Sequence, residues 1–347
     1  MKKFKLITLA AFCGFATLAG ISACSSSSDS NDETIVLNDF TEIATVYANK
    51  TVIATYANMK SNASDLKNAI TAFKAEQTQE NLNLASEAWK RTRRAWESSE
   101  SFLFGPANDK NLDPALDSWP LDKTQLDAIL ADNTPIADIQ LTDVTSGFHT
   151  LEYLLFRDGQ TRVVTDLSNE REIEYLEVVA EKLYDDTANL HDTWVNEYLP
   201  DFLKNPTSAM DQMLDGISAI ADEVGNGKIA DPYKSKNVLE VESWYSWNSL
   251  TDFKNNIRSI ENSYMGGFDA DTRGANLSTF VKSKNESLDT EVKAAIQQAI
   301  EDINAIPEPF RNQLDNPESA AAITTAMESC RNVMDIFDSK VKALVVY

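Results

Sequence analysis

The sequence is poor in the residues that cross-link small domains or build metal centres from imidazoles. Its 347 residues include three cysteines and two histidines. Cys13 and Cys24 belong to the N-terminal segment discussed below, so Cys330 alone remains for the folded part, and an internal disulfide is excluded there. Because His149 and His191 are the only histidines, a site with three or more imidazole ligands is also excluded. The fold must therefore rest on its hydrophobic core.

Positive charge is scarce as well. The chain has 31 Lys and Arg residues against 54 Asp and Glu residues, which gives a formal net charge of −23. Such a surface repels polyanions, so we expect no nucleic-acid partner. It tolerates or attracts cations, although acidity by itself chiefly favours solubility.

Strand-like alternation is nearly absent, and apolar residues recur instead at helical spacing. In the last segment, we expect Asn316 to cap a helix whose first residue is Pro317. Two further long helices are predicted over residues 79–104 and 169–199. The apolar stripe of the last helix, on which Cys330 is expected to be a core residue and not a reactive thiol, consists of Ile323, Met327, Cys330, Met334, Phe337, Val341 and Leu344.

Two irregular stretches, residues 105–120 and 225–248, each follow a long helical pair and precede a shorter helix. This repeated order predicts an all-α protein of two helical-bundle halves. We place the N-terminal bundle at residues 34–160 and the C-terminal bundle at 168–347. No repeat at the level of single residues accompanies this division.

The N-terminus has the features of an export signal. A basic head of lysines precedes an uncharged apolar run over residues 6–21, which is too short for an ordinary membrane span. The run ends in Ile21-Ser22-Ala23-Cys24, which resembles a bacterial lipobox. We therefore predict a signal peptide over residues 1–23, a lipid on Cys24 and a flexible tether over 24–33. This predicts an exported lipoprotein, anchored in a membrane and facing the periplasm or the cell surface; the alternative is a secretory peptide with a chance cysteine.

The short predicted helix over residues 144–156 contains the first candidate site. His149 and Glu152 are three residues apart, so they share one side of the helix. Glu152 falls within the apolar sector of that helix, where a carboxylate needs a cation, a metal ion or a proton. The alternative is a structural pair in the core that is satisfied by an arginine.

The second group of candidates precedes this helix. Arg93, Glu97 and Glu100 share a flank of the helix predicted over residues 79–104, and Glu100 projects close to its apolar side. The spacing alone favours an Arg–Glu network that holds two helices together. Asp117 lies between bulky apolar residues and is a further candidate acid, with helix capping as the alternative.

Four blocks of the sequence, in order, resemble the imelysin family. The first runs from Ala88 to Pro106, and the next is Asp117-Ser118-Trp119-Pro120. Gly147-Phe148-His149-Thr150-Leu151-Glu152 is similar to the GxHxxE motif of the family, and residues 249–260 and 264–266 resemble a block of imelysin-like lipoproteins. GxHxxE alone is a weak pattern, whereas four ordered blocks that cover nearly all of the chain after the signal peptide are strong.

The resemblance implies two helical bundles with a site between or beside them. It further implies that His149, Glu152, Glu100 and Asp117 form a metal site or other functional site. Other residues at motif positions are Gly147, Arg93, Trp96, Glu97 and Arg258, of which Trp96 fits a packing role and Arg258 fits neutralisation of a buried acid or binding of an anion. The family includes an insulin-cleaving peptidase and members that belong to iron uptake.

The residues help to choose between these activities. Zinc peptidases of the HExxH or HxxEH type need two histidines at close helical spacing, but Tyr153 follows Glu152 and His191 is remote. One histidine with several carboxylates suits iron, manganese or calcium better than zinc. We therefore predict a lipoprotein of iron uptake that holds a metal ion, with iron as a candidate, or a metal-carrying ligand, and that acts with iron-uptake partner proteins. The alternatives are a metallopeptidase and a partner-binding surface lipoprotein in which GxHxxE is structural.

Overall fold

A computed structural model describes residues 38–167 and 169–345 of the chain. The predicted signal peptide, the lipidation site at Cys24 and the tether lie outside the described residues and stay predictions. Within the described ranges, no helix is long and apolar enough to cross a membrane.

Most of the described chain is helical and strands are almost absent from it, which confirms the all-α prediction. Its first part contains the helices α1 (Thr41–Val46), α2 (Ala54–Ala75), α3 (Gln79–Glu97), α4 (Pro106–Asp109), α5 (Leu112–Asp117), α6 (Lys123–Ala131) and α7 (Gly147–Leu155). Its second part contains α8 (Glu170–Thr193), α9 (Leu199–Lys204), α10 (Pro206–Asp222), α11 (Asp231–Ser235), α12 (Ser249–Met265), α13 (Leu277–Lys284), α14 (Glu286–Asn304), α15 (Ala320–Ile336) and α16 (Lys342–Val345).

Shorter elements join these helices. Four π-helical segments continue the helices that precede them: Tyr47–Ile53, Trp194–Tyr198, Glu223–Ala230 and Phe337–Val341. Six 3₁₀ turns lie at Glu100–Phe102, Ile136–Asp138, Asp143–Thr145, Val164–Asp166, Val238–Glu240 and Phe310–Asn312. The strands β1 (Phe156–Arg157) and β2 (Gln160–Thr161) form an antiparallel pair in which Phe156 lies opposite Thr161.

The helices pack around one hydrophobic core. α2 packs against α3 and α8, and α7 packs against α3 and α8. α12 then connects this group to the rest, because it packs against α3 on one side and against α10 and α14 on the other. The described residues form one compact unit, and α8, which follows the predicted boundary between the bundles, packs along α2. The division into bundles at 34–160 and 168–347 stays a prediction.

Two predicted helix ends are wrong. α15 begins at Ala320 and not at Pro317, because Asn316 starts a turn instead: its carbonyl accepts the backbone N–H of Ser319 at 3.1 Å. α3 ends at Glu97 and not at residue 104, since the hydroxyls of Ser98 and Ser99 bond the carbonyls of Arg94 and Trp96 at 2.8 and 2.6 Å. Such side-chain bonds compete with continuation of a helix. Glu100 consequently lies in the following 3₁₀ turn.

Cys330 is a buried core residue of α15, as its position in the apolar stripe predicts. Burial raises the pKa of its thiol to about 12, and the charge of Asp302 acts in the same direction. At pH 8 only about one thiol in ten thousand would then be ionised, and the thiolate is the reactive form.

We expect Cys330 to resist thiol reagents in the folded protein. A chain that starts at residue 25 has this single cysteine, so maleimide labelling at pH 8 reads it directly. Labelling is expected to be slow in buffer and fast in denaturing urea, while an introduced cysteine at the exposed position Ser61 should react quickly in both. Fast labelling of native Cys330 would contradict its placement in the core.

Candidate functional site

The site is built around Arg93, which α3 points into the protein interior and which has no exposed surface. Its guanidinium contacts carboxylates from four segments of the chain. Nη2 lies 2.7 Å from Oε1 of Glu242 and Nε lies 3.3 Å from Oδ2 of Asp252, and ion pairs are also formed with Glu97 and Asp117. Burial lowers the pKa of Arg93, but these four charges hold it well above its usual value. Arg93 is therefore a permanent cation that gathers acids.

Gly147 allows α7, the second helix of the site, to approach the end of α5 closely. It is the first residue of α7 and has a φ of +74°, a conformation that other residues rarely adopt. A Cβ atom there would lie 2.3 Å from the carbonyl oxygen of Leu116. The glycine of GxHxxE thus lets α7 begin directly against the end of α5, and this contact brings His149 next to Asp117.

His149 lies between three carboxylates and is almost completely buried. Its Nε2 atom lies 3.1 Å from Oδ1 of Asp117 and 3.8 Å from Oε1 of Glu242, yet it makes no hydrogen bond of normal geometry. The ring of Trp119 lies beside the imidazole, with 4.5 Å between ring centroids. Burial lowers the pKa of His149, but the adjacent carboxylates of Asp117, Glu152 and Glu242 outweigh burial and raise the pKa well above its usual value.

Glu152 fixes the orientation of this imidazole. It has no exposed surface, and its Oε2 lies 3.1 Å from Nδ1 of His149. The other oxygen, Oε1, accepts hydrogen bonds from both the backbone N–H and the hydroxyl of Ser246, each at 2.8 Å. Both oxygens of Glu152 are therefore engaged, whereas Nε2 of His149 faces Asp117 and Glu242 without a hydrogen bond of normal geometry.

A second cation, Lys228, approaches from the π-helical segment after α10. Its Nζ lies 2.9 Å from Oε2 of Glu242, 3.8 Å from Oε2 of Glu97 and 3.7 Å from Oε1 of Glu223. Burial raises the pKa of Glu242, but Lys228 and then Arg93 outweigh burial and hold the pKa well below its usual value. Glu242 is consequently ionised, and it links both cations to His149.

The remaining acids of the site are stabilised less by positive charge. Burial raises the pKa of Glu97 and of Glu100 well above the usual range. The pKa of Asp252 is raised by burial to about 6, although Arg93 acts in the opposite direction. We refer below to the acid cluster as Glu97, Glu100, Asp117, Glu152, Glu242 and Asp252. These six carboxyl groups outnumber the basic side chains of the site, which are Arg93, Lys228 and His149.

Two groups of side chains could hold a cation. Ligand atoms of Asp117, His149 and Glu242 lie within 4.8 Å of one another, and so do those of Glu97, Glu100 and Asp117. Asp117 belongs to both groups, and its Oδ2 also accepts the Nε1–H of Trp96 at 2.6 Å. The carboxylate of Asp117 therefore contacts side chains of the site and does not cap a helix. Carboxylate oxygens with one imidazole suit iron, manganese or calcium.

Most of the sequence-predicted site residues come together here. Arg93, Trp96, Glu97, Asp117, Gly147, His149 and Glu152 all lie in the site, and Glu100 lies at its edge. Arg258 does not take part: it is exposed on α12 and lines a separate surface cavity. Neutralisation of a buried acid by Arg258 is therefore wrong, and Arg93 has that role.

Four residues of the site were missed by sequence reasoning. Asp252 belongs to the matched block at residues 249–266, and a lone acid on its apolar face was a usable signal. Lys228 is the one charge in the run Val224-Gly-Asn-Gly-Lys-Ile-Ala230, which was a weaker signal. Glu242 and Ser246 lie in the irregular stretch before α12, where no periodicity shows which side chains point inward.

Three comparisons with known proteins each find similarity over most of the chain. The sequence model of the family described as Imelysin matches residues 52–334. The chain is 26% identical over 310 residues to iron-regulated protein A of Synechococcus elongatus, a match that covers 86% of this chain and 85% of that protein. A crystal structure from Parabacteroides distasonis, described as a precursor of iron-regulated protein A, superposes with a TM-score of 0.82 at 33% identity, over 90% of this chain and 97% of the other.

A more remote structure shows the same fold. The imelysin-like protein of Psychrobacter arcticum superposes with a TM-score of 0.70 at 13% identity and covers 87% of this chain and 94% of that one. At this identity the likeness concerns the fold alone.

The geometry of Gly147 leads to a stability prediction. Gly147→Ala should lower the free energy of unfolding by about 2 kcal/mol or more, because the positive φ alone costs about 1–2 kcal/mol and the added Cβ meets a backbone carbonyl. Urea denaturation measures this value. Gly227→Ala is the matched control, since its Cβ would meet only the Glu223 side chain at 3.7 Å. Equal stability of the two variants would contradict the close approach of α7 to α5.

Proposed function

This chain belongs to the imelysin family, and on that premise we propose that it is an exported lipoprotein of iron uptake that binds a metal cation in the acid cluster beside His149. The observation that carries the proposal is the state of the imidazole. Glu152 occupies Nδ1, while the buried Nε2 faces Asp117 and Glu242 without a normal hydrogen bond. This is how a metal-binding histidine is usually prepared, with a carboxylate that fixes its ring and its tautomer.

The ligands that we assign to the cation are Asp117, His149 and Glu242. In this arrangement Glu152 is the orienting partner of His149, since Ser246 and the imidazole already engage both of its oxygens. Glu100 belongs to the adjoining trio with Glu97 and Asp117, which would extend the site by further carboxylates. The excess of carboxylates over fixed cations supports a positively charged occupant.

Arg93 and Lys228 limit how tightly that occupant is held. Both lie within 3 Å of a carboxylate oxygen of Glu242. Their charges repel a metal ion at short range and compete for the same oxygens. A site of this kind suits a protein that takes up a cation and later releases it, better than one that stores it permanently.

Iron is the proposed metal because of how the relatives are described. The relatives from Synechococcus elongatus and Parabacteroides distasonis are both described as iron-regulated protein A. An oxygen-rich set with one imidazole is compatible with iron. The metallopeptidase alternative is less well supported, because Glu152 has no free oxygen to act as a general base and His191 instead pairs with Asp192 on α8.

Substitutions of the ligands test the proposal. His149→Ala and Glu242→Gln should each weaken metal binding at least about tenfold, and Glu152→Gln should weaken it about 10- to 100-fold by releasing the ring. Isothermal titration with ferrous, ferric and manganous ions, together with elemental analysis of protein purified without chelator, gives the affinities. Circular dichroism should report nearly unchanged helicity.

His191→Ala is the matched control for loss of a histidine, and its metal binding should equal that of the parent protein. If the parent binds none of these ions at micromolar concentration, or if His149→Ala binds them as well as His191→Ala does, the cluster is structural. The partner-binding alternative would then take precedence.

Membrane anchoring has its own test. We expect the full chain, expressed in a bacterium, to partition with the membrane fraction and to be released by detergent. Cys24→Ser should move it to the aqueous fraction, because a lipid on Cys24 is the proposed anchor. Membrane retention of the Cys24→Ser variant would contradict lipidation there.

A further inference from the structure

The outer side of α3 lines a cavity that has no part in the acid cluster. Its volume is about 480 Å³, and its walls come from α2, α3, α12 and the loop that follows α12. This volume lies within the range of small-molecule sites, which is about 300–1,000 Å³. While Arg93 points inward from α3, Arg91 and Arg94 are exposed on the same helix and line this cavity.

The cavity is basic in a protein that is strongly acidic. Four arginines line it: Arg91, Arg94, Arg258 and Arg273. These are four of the ten arginines in a chain whose net charge is −23. The acids in the lining are Glu261 and Asp269, so positive charge is in excess.

The acids of the lining leave most of these arginines unpaired. Arg273 donates to Glu261 at 2.9 Å, and Asp269 accepts the backbone N–H groups of Asp271 and Thr272. Arg91, Arg94 and Arg258 form no ion pair or side-chain hydrogen bond with any residue in the ranges 38–167 and 169–345. Three guanidinium groups that share one concavity without ion-pair partners repel each other, and an anion would relieve that repulsion.

A neighbouring depression extends this surface and supplies an independent observation. It has a volume of about 400 Å³ and shares Arg94 and Arg258 with the first cavity. Lys254 and Asn255 also line it. Asn255 is only 4% exposed, and its Nδ2 has no hydrogen-bond partner among the described residues. A buried amide donor without a partner in the protein, in the same depression as two arginines without ion pairs, is available to an acceptor from outside the chain.

We infer that Arg91, Arg94 and Arg258 form a binding site for a small multivalent oxyanion, with carboxylate or phosphate groups as its charged ends. Guanidinium groups bind both kinds of group through two parallel hydrogen bonds. Amide side chains in the lining, from Asn58, Asn62 and Asn262, offer further donors for hydroxyl or carboxyl oxygens. The inference does not depend on the proposed metal site, since none of these residues belongs to the acid cluster.

The geometry favours a compact ligand over a polymer. Arg94 and Arg258 line both depressions, so an anion bound by these two arginines would lie beside the depression that Asn255 also lines. The surrounding protein carries a large negative charge, which repels an extended polyanion beyond the concavity.

The test is a titration of the purified protein, freed of metal by chelator and dialysis, with citrate, with pyrophosphate and with acetate. We expect saturable one-to-one binding of citrate or of pyrophosphate, and none of acetate at the same ionic strength. Binding of citrate alone would assign carboxylate chemistry, and binding of pyrophosphate alone would assign phosphate chemistry. If neither ion saturates, the inference is overturned.

Variants then locate the site. Arg94→Ala and Arg258→Ala should each weaken binding about tenfold, as expected for loss of a charged hydrogen-bonding partner. Arg258→Lys should restore only part of the affinity, because lysine keeps the charge but lacks the planar fork. Lys110→Ala/Lys204→Ala removes two exposed positive charges elsewhere and should bind like the parent.

The affinity for the anion is then compared between the Lys110→Ala/Lys204→Ala control and an Arg94→Ala/Arg258→Ala double variant. An equal loss of affinity in both would overturn the inference, since binding would then follow net charge alone. His149→Ala should bind the anion as the parent does. That result separates failure of this site from failure of the metal site.

Discussion

The burial of one arginine among carboxylates organises this molecule. Arg93 has no exposed surface, and a lone charge in such a position would be very costly. The four acids that surround it come from α3, from the end of α5, from the stretch before α12 and from α12 itself. Each of these segments must reach its place before the charge is compensated, so the ion cluster selects one arrangement of the helices. Removal of one partner from such a network typically costs about 3–5 kcal/mol.

The same constraint produces a site whose carboxyl groups differ in the direction of their pKa shifts. Glu242 and Asp117 are closest to fixed positive charge, and the pKa of each is held below its usual value against the effect of burial. Glu97 and Glu100 are balanced less well, so burial dominates and raises the pKa of each. The network that holds the fold together therefore leaves carboxyl groups with a lowered pKa beside His149 and carboxyl groups with a raised pKa at Glu97 and Glu100. Structure and proposed function depend on one set of contacts.

The sequence predicted those features of this arrangement that depend on residues close to one another in the chain. Helical spacing identified the long helices, the shared side of His149 and Glu152, and the core position of Cys330. It could not identify Ser246 as the partner of Glu152, because the two residues are 94 positions apart and Ser246 lies in an irregular stretch. Asp252 is 159 positions from Arg93, and only the packing of α12 on α3 joins them. The end of α3 was also missed, because serine hydroxyls that bond the last carbonyls ended the helix where the apolar pattern continued.

The run Arg91-Thr92-Arg93-Arg94 shows why residue type alone could not separate the two charged regions. Successive residues of a helix point about 100° apart, so three arginines in four positions cannot share one environment. Arg93 points to the interior, where it pairs with four carboxyl groups, whereas Arg91 and Arg94 line a concave surface and form no ion pair with any described residue. On the inner side of α3 the arginine is paired with acids, and on the outer side the two arginines have no ion-pair partner among the described residues. The inner arginine therefore acts as a structural cation, and the outer two keep their hydrogen-bonding capacity for a ligand.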